Sequence, residues 1–167
     1  MKNKVVEKYL NNFALINTQG MEAFAREQSK LLSPSLLAST TDYRGTRTEH
    51  GIGGFFHGLE EWSRHFRSNH HSRKEFLEDT PTHVSVRVLN RLGLVVPVNG
   101  RTISEEDEHE WTEEFEVSAD GLITKVHVSV ILKSCNNVSL AACRIRSPIR
   151  HGPISSTDND QDGKKAT

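Results

Sequence analysis

The densest chemistry in this chain lies between Glu108 and Val117, in the run Glu-His-Glu-Trp-Thr-Glu-Glu-Phe-Glu-Val. In a β-strand, alternate side chains point to opposite faces. One face would carry Glu108, Glu110, Thr112, Glu114 and Glu116, a solvated set. The other would carry His109, Trp111, Glu113, Phe115 and Val117. The Trp, Phe and Val must face the apolar side, which takes His109 and Glu113 with them. A carboxylic acid held between Trp and Phe is expensive to ionise, so its pKa should rise. A carboxyl tuned towards neutrality can act as general acid or base near pH 7. His109 lies four residues from Glu113, about 13–14 Å along a strand at roughly 3.3–3.4 Å per residue. The two cannot bond each other, but they could flank opposite ends of one substrate. The alternative is a polar mouth, with His109 half exposed and Glu113 paired to a basic residue of a neighbouring strand.

Other candidates are more dispersed. Asp42 closes a short strand read over Ser35 to Tyr43, where it is either a second pocket carboxylate or an Asx turn before Gly45. Tyr43 could donate a hydrogen bond to a carbonyl or oxyanion. Trp62, His65 and Phe66 fall within about one turn of a helix read from Leu59 to near Asn69. Trp62 and Phe66 would share its apolar stripe, with His65 lining a pocket or the helix boundary. His127 alternates with Val126 and Val128. It faces a partner or solvent if the valines face the helices, and the pocket if the register is reversed. Gly51-Ile52-Gly53-Gly54-Phe55-Phe56 reads as part of a glycine-rich loop and a mobile apolar lid. No G-x-G-x-x-G and no Gly-Lys-Ser/Thr is present, so nucleotide binding by these routes is excluded. There is no H-E-x-x-H and no C-x-x-C, and His70-His71 are adjacent, so no metal is expected.

The elements that must position these residues follow from periodicity. Val6, Tyr9, Leu10, Phe13 and Ile16 mark one face of a first helix ended by Gly20, and Met21, Phe24, Ala25 and Leu32 a second that stops before Pro34. From Thr82 the period changes to two. Strands are expected over Thr82–Val88, Leu94–Val98, Glu105–Val117 and Leu122–Leu132. Asn99-Gly100 turns one pair, and Ala119-Asp120-Gly121-Leu122 the other in a type I′ turn. Helices followed by an antiparallel meander argue α+β.

The chain has 167 residues, with 21 Lys+Arg, 22 Asp+Glu and a formal net charge of -1. That balance gives no global reason to bind nucleic acid or an anionic membrane. No run is long and apolar enough for a transmembrane helix, and no secretory signal is read, so a cytoplasmic protein is expected. Two cysteines cannot build a disulfide framework. One domain is expected over 1–134, with a C-terminal extension over 135–167 that is disordered from about 152.

Three ordered stretches carry a resemblance. They are Thr41-Asp42-Tyr43-Arg44-Gly45 at a strand end, His57-Gly58-Leu59-Glu60-Glu61-Trp62 opening a helix that carries Phe66, and Trp111 through Phe115 to Asp120-Gly121-Leu122-Ile123. Over roughly Val5 to Leu132 the chain resembles the NTF2-like superfamily, and within it the SnoaL-like polyketide cyclases. The resemblance implies a cone, with helices closing a curved sheet around an apolar pocket. It also implies cofactor-free proton-transfer chemistry, by cyclisation, isomerisation, dehydration or epoxide opening. The substrate would be a hydrophobic oxygenated metabolite such as a polyketide or terpenoid intermediate. Glu113, His109 and Asp42 would then be catalytic, and Trp111, Tyr43, Trp62, His65 and Phe115 would line the pocket. A homodimer through the open sheet face is expected. Fold does not fix function, and a non-catalytic homodimeric ligand-binding or association module is the competing expectation.

Overall fold

A computed structural model describes residues 3–42, 45–94 and 108–131, with side chains at all of these except 66–72, 92, 94, 108 and 131. The expected strand over Leu94–Val98, the Asn99-Gly100 turn, Tyr43 and the C-terminal extension lie wholly or largely outside the described residues.

The helices are α1 (Lys4–Asn12), α2 (Ala14–Thr18), α3 (Met21–Ser29) and α4 (Gly51–Ser63). Asn3 caps α1, its side-chain oxygen accepting from the amides of Val5 and Val6 at 3.2 and 3.3 Å. Val6, Tyr9 and Leu10 are buried along one face, as their spacing requires. The single expected first helix is split at Phe13 into α1 and α2. Asn12 Nδ2 donates to Gln28 Oε1 at 2.9 Å, and Gln28 Nε2 donates to the Tyr9 carbonyl at 3.4 Å. This buried amide link fixes α1 against α3 and so fixes where Tyr9 sits.

The strands are β1 (Leu32–Asp42), β2 (Gly45–His50), β3 (Phe66–Asp79), β4 (His83–Leu94), β5 (Glu108–Val117) and β6 (Ile123–Ile131). They form one open sheet in the order β2-β1-β6-β5-β4-β3, in which only β1 and β6 run parallel. Its inner face carries Val84, Val86, Val88, Trp111, Phe115, Val117, Val126 and Val130, all buried beneath the helices.

Three expectations are corrected. The segment from Gly45 to Gly58 is not a loop: it forms β2 and most of α4. Four glycines disfavour a helix, but Ile52, Phe55, Phe56, Leu59 and Trp62 give α4 an apolar face that packs on the core, and packing outweighs propensity. Gly51 takes φ +71° where β2 turns into α4, a conformation open to glycine. Second, the helix ends at Ser63, so Phe66 begins β3 rather than following Trp62 on a helical stripe. Third, the β5–β6 turn is not type I′. The Gly121 amide donates to the Ser118 carbonyl at 2.9 Å, which centres the turn on Ala119-Asp120, and Gly121 follows at φ +81°. That is the three-residue hairpin with a glycine bulge.

Candidate active site

Between the helices and the inner sheet face lies a cavity of about 650 Å3, within the roughly 300–1,000 Å3 range of small-molecule sites. Tyr9, Leu10 and Phe13 close it from the helix side, Phe55, Leu59 and Trp62 from α4, and Val126, Val128 and Val130 from the sheet. Trp111 and Glu113 form part of its floor. The Trp62 and Trp111 rings meet edge to face at 6.2 Å, which ties α4 to β5 over the cavity.

The strand parity of β5 is as expected. His109, Trp111, Glu113, Phe115 and Val117 are all buried, and Glu114 and Glu116 are exposed. Glu113 is 3% exposed and accepts a hydrogen bond from Trp111 Nε1 at 3.0 Å. Burial pushes its carboxyl up to about 7, against smaller downward pulls from the Trp111 hydrogen bond and the Lys74 charge. Near neutral pH this group is therefore shared between its acid and carboxylate forms.

Tyr9 reaches the same cavity from α1. Burial, and then the negative charge of Glu113, push its phenol well above 10, while a hydrogen bond with the Gln28 side chain pulls the other way. The hydroxyl thus keeps its proton. Lys74, on β3, also lines the cavity and donates to Asn11 Oδ1 at 2.6 Å.

The structure brings Glu113, Trp111, Trp62 and His65 together around one cavity. His65 is exposed just beyond α4. His109 and Asp42 are buried, but neither is among the residues lining the cavity. His109 lies beside Asn90 of β4. Asp42 holds Arg47, with Nη2 to Oδ2 at 2.7 Å and Nη1 to Oδ1 at 3.3 Å. Arg47 itself lines the cavity, so Asp42 acts on it through that guanidinium. Phe115 supports the cavity from behind, its ring edge-on to Tyr9 at 5.1 Å. His127 faces away from the cavity, between Ser39 Oγ at 2.7 Å and Ser129 Oγ at 3.1 Å, on the outer sheet face. Sequence reasoning missed Tyr9, Arg47, Glu49 and Lys74 as cavity residues. Tyr9 carried a signal, since its helix face had to point at the pocket.

Among the described residues, no group of three or more His, Cys, Asp or Glu could hold a metal ion. No helix among them is long and apolar enough to cross a membrane.

No family model matches the sequence, and no curated protein matches it. Solved structures do match. One is a protein of Silicibacter sp. TM1040 described as a "putative polyketide cyclase", with 16% identity over 78% of this chain and 88% of that one, and a TM-score of 0.57. Another, of the same description, comes from Xanthomonas campestris pv. campestris, with 16% identity over 75% and 87% and a TM-score of 0.55. An NTF2-like protein of Burkholderia xenovorans LB400 matches at 14% identity over 77% and 87%, with a TM-score of 0.55. The chain has the NTF2-like fold, shared with a Mesorhizobium loti structure described as a "putative SnoaL-like polyketide cyclase".

Proposed function

We propose that this protein is a small enzyme that binds a hydrophobic, oxygenated metabolite in the cavity and moves a proton with Glu113. The observation that carries the reading is the medium around that carboxyl. Glu113 lies on the cavity floor, buried among aromatic side chains, with its pKa held at about 7. A carboxyl in that state gives and takes protons at nearly equal cost at physiological pH. The Tyr9 hydroxyl supplies a donor for a carbonyl or a developing enolate, and the apolar walls exclude the water that would weaken it. Cyclisation, isomerisation, dehydration and epoxide opening all need this combination, and none needs a cofactor. Polyketide and terpenoid intermediates have the matching size and polarity. An open cavity, rather than one filled by core side chains, favours this reading over a non-catalytic association module. The same reading has two copies pairing through the outer sheet face around His127, which a mass measurement in solution checks.

The test uses metabolite extract from the native host lacking this gene. Adding the wild-type protein should consume one accumulated compound, and Glu113→Gln, with its fold intact, should not. Full turnover by that variant would sink the assignment.

A further inference from the structure

Glu49 faces the same cavity from β2. It pairs in register with Ala38, whose row crosses Val126 of β6 and reaches Phe115 of β5. About 14 Å of sheet therefore separates the backbone of Glu49 from that of β5, at roughly 4.7–4.9 Å per strand. Both Glu49 and Glu113 open into the space between. Among the described residues the Glu49 side chain makes no hydrogen bond or ion pair. Arg47, two positions along the same face, does not take it, because the buried Asp42 holds that guanidinium from behind.

The path of the Glu49 side chain explains two of the glycines in α4. A Cβ at Gly54 would stand 3.3 Å from the Glu49 Cβ. One at Gly58 would stand 3.1 Å from its Cγ and 4.0 Å from its Oε1. Glycine disfavours a helix interior, yet here two of them at i, i+4 spacing clear a groove along which this carboxylate lies. Gly53, on the same helix, has nothing within 4 Å of its Cβ position and plays no such part.

We infer that Glu49 is a second catalytic carboxylate, the base that removes a proton from carbon while Glu113 protonates a departing oxygen. The inference rests on the reading of Glu113 given above and fixes the direction of its proton transfer. Two carboxyls in unlike media, one dry and one partly solvated, divide acid and base work between them. The substrate class that suits the pair is a β-hydroxy ketone or ester. Glu49 takes the proton next to the carbonyl, and the C–H electron pair becomes the new C=C bond. The C–O bond breaks, and the oxygen leaves as water with the proton from Glu113. Glu49 ends protonated and Glu113 ionised, and exchange with solvent restores both.

The test uses 5-nitrobenzisoxazole, an apolar probe that a base opens by taking its ring C–H proton as the N–O bond breaks. Quenching of Trp62 and Trp111 fluorescence reports entry into the cavity. The wild-type protein should open the probe faster than acetate buffer does, and Glu49→Gln should lose at least tenfold. The rate should fall as pH rises through about 7, because an ionised Glu113 repels the phenolate that forms. Gly58→Ala should lower the rate several-fold at an unchanged thermal midpoint, and Gly53→Ala should leave it unchanged. A rate in Glu49→Gln within twofold of wild type would overturn the proposal. So would a rate that rises through pH 7 and vanishes only in Glu113→Gln, which would make Glu113 the base. A probe that enters without reacting overturns the role of Glu49 alone, whereas a probe that never enters overturns the cavity reading beneath it.

Discussion

Glu113 and Glu116 stand three residues apart on β5 and live in different media. Glu116 points outward and meets Lys125 Nζ at 2.9 Å, with both side chains about half exposed. Glu113 points inward, onto the cavity floor, and accepts a hydrogen bond from the Trp111 indole. The same contrast runs across the sheet. Outside, Arg87 bridges Glu75 at 3.1 Å and Glu110 at 3.2 Å in open solvent. Inside, Val86 of β4 and Val128 of β6 flank the buried Glu113 carboxyl. Outer pairs of this kind contribute about 0–1 kcal/mol and tune solubility. The inner carboxyl is costly to ionise, and that cost is what the proposed proton transfer draws on. Strand parity alone decides which glutamate becomes which.

Glu113 is where a single substitution should have the largest effect. Replacement by Gln keeps the shape and the Trp111 hydrogen bond but removes the transferable proton, so turnover should fall by about 10²–10⁴-fold. The equivalent Glu116→Gln change should leave turnover within twofold in the same assay.

The second effect is on stability. A carboxyl whose pKa rises from 4.5 unfolded to about 7 folded holds its proton more tightly in the native state. Its presence therefore costs nothing below about pH 4.5. Stability should decline by roughly 3 kcal/mol as pH climbs from there to about 7, and the penalty then stays constant. Urea unfolding of Glu113→Gln should accordingly show a gain over wild type at pH 8 that disappears at pH 4.

A third change probes a charge pair that is neither inside nor outside. The Asp42 side chain is fully buried and that of Arg47 is 36% exposed. Asp42→Ala should destabilise the fold by about 2 kcal/mol, between the near-zero value of a surface pair and the larger loss for a buried one. It should also release Arg47 towards Glu49, lowering activity through KM more than through kcat. The smallest effect belongs to Gly53→Ala, which should stabilise α4 by about 0.5 kcal/mol without touching the cavity. Thermal unfolding resolves it.

The inner face of β5 was readable from the sequence because three bulky apolar side chains at period two leave Glu113 and His109 no other side to take. β6 and β4 were readable for the same reason. The other wall of the cavity was not. β2 is Gly-Thr-Arg-Thr-Glu-His, an edge strand with no apolar residue, so no alternation marks it. β3, at the opposite edge, is similarly polar through Arg-Ser-Asn-His-His-Ser-Arg-Lys-Glu, and its lack of apolar period let the preceding helix be extended through it. An edge strand is held by backbone bonds to its single neighbour and need not announce itself in side chains. In α4 the apolar spacing from Ile52 to Trp62 was present, but four glycines masked it. Arg47, Glu49 and Lys74 sit on those two edge strands, which is why the cavity's charged residues escaped notice while its central carboxyl did not.

The proposed chemistry depends on the protonation of Glu113, which can be observed directly. Glutamate labelled with 13C at the side-chain carboxyl should give one resonance, absent in Glu113→Gln, that titrates near pH 7. If the Glu113 resonance instead titrates near 4.5, the cavity floor is wet, the carboxyl is an ordinary anion at neutral pH, and the proposed chemistry has no acid to begin from.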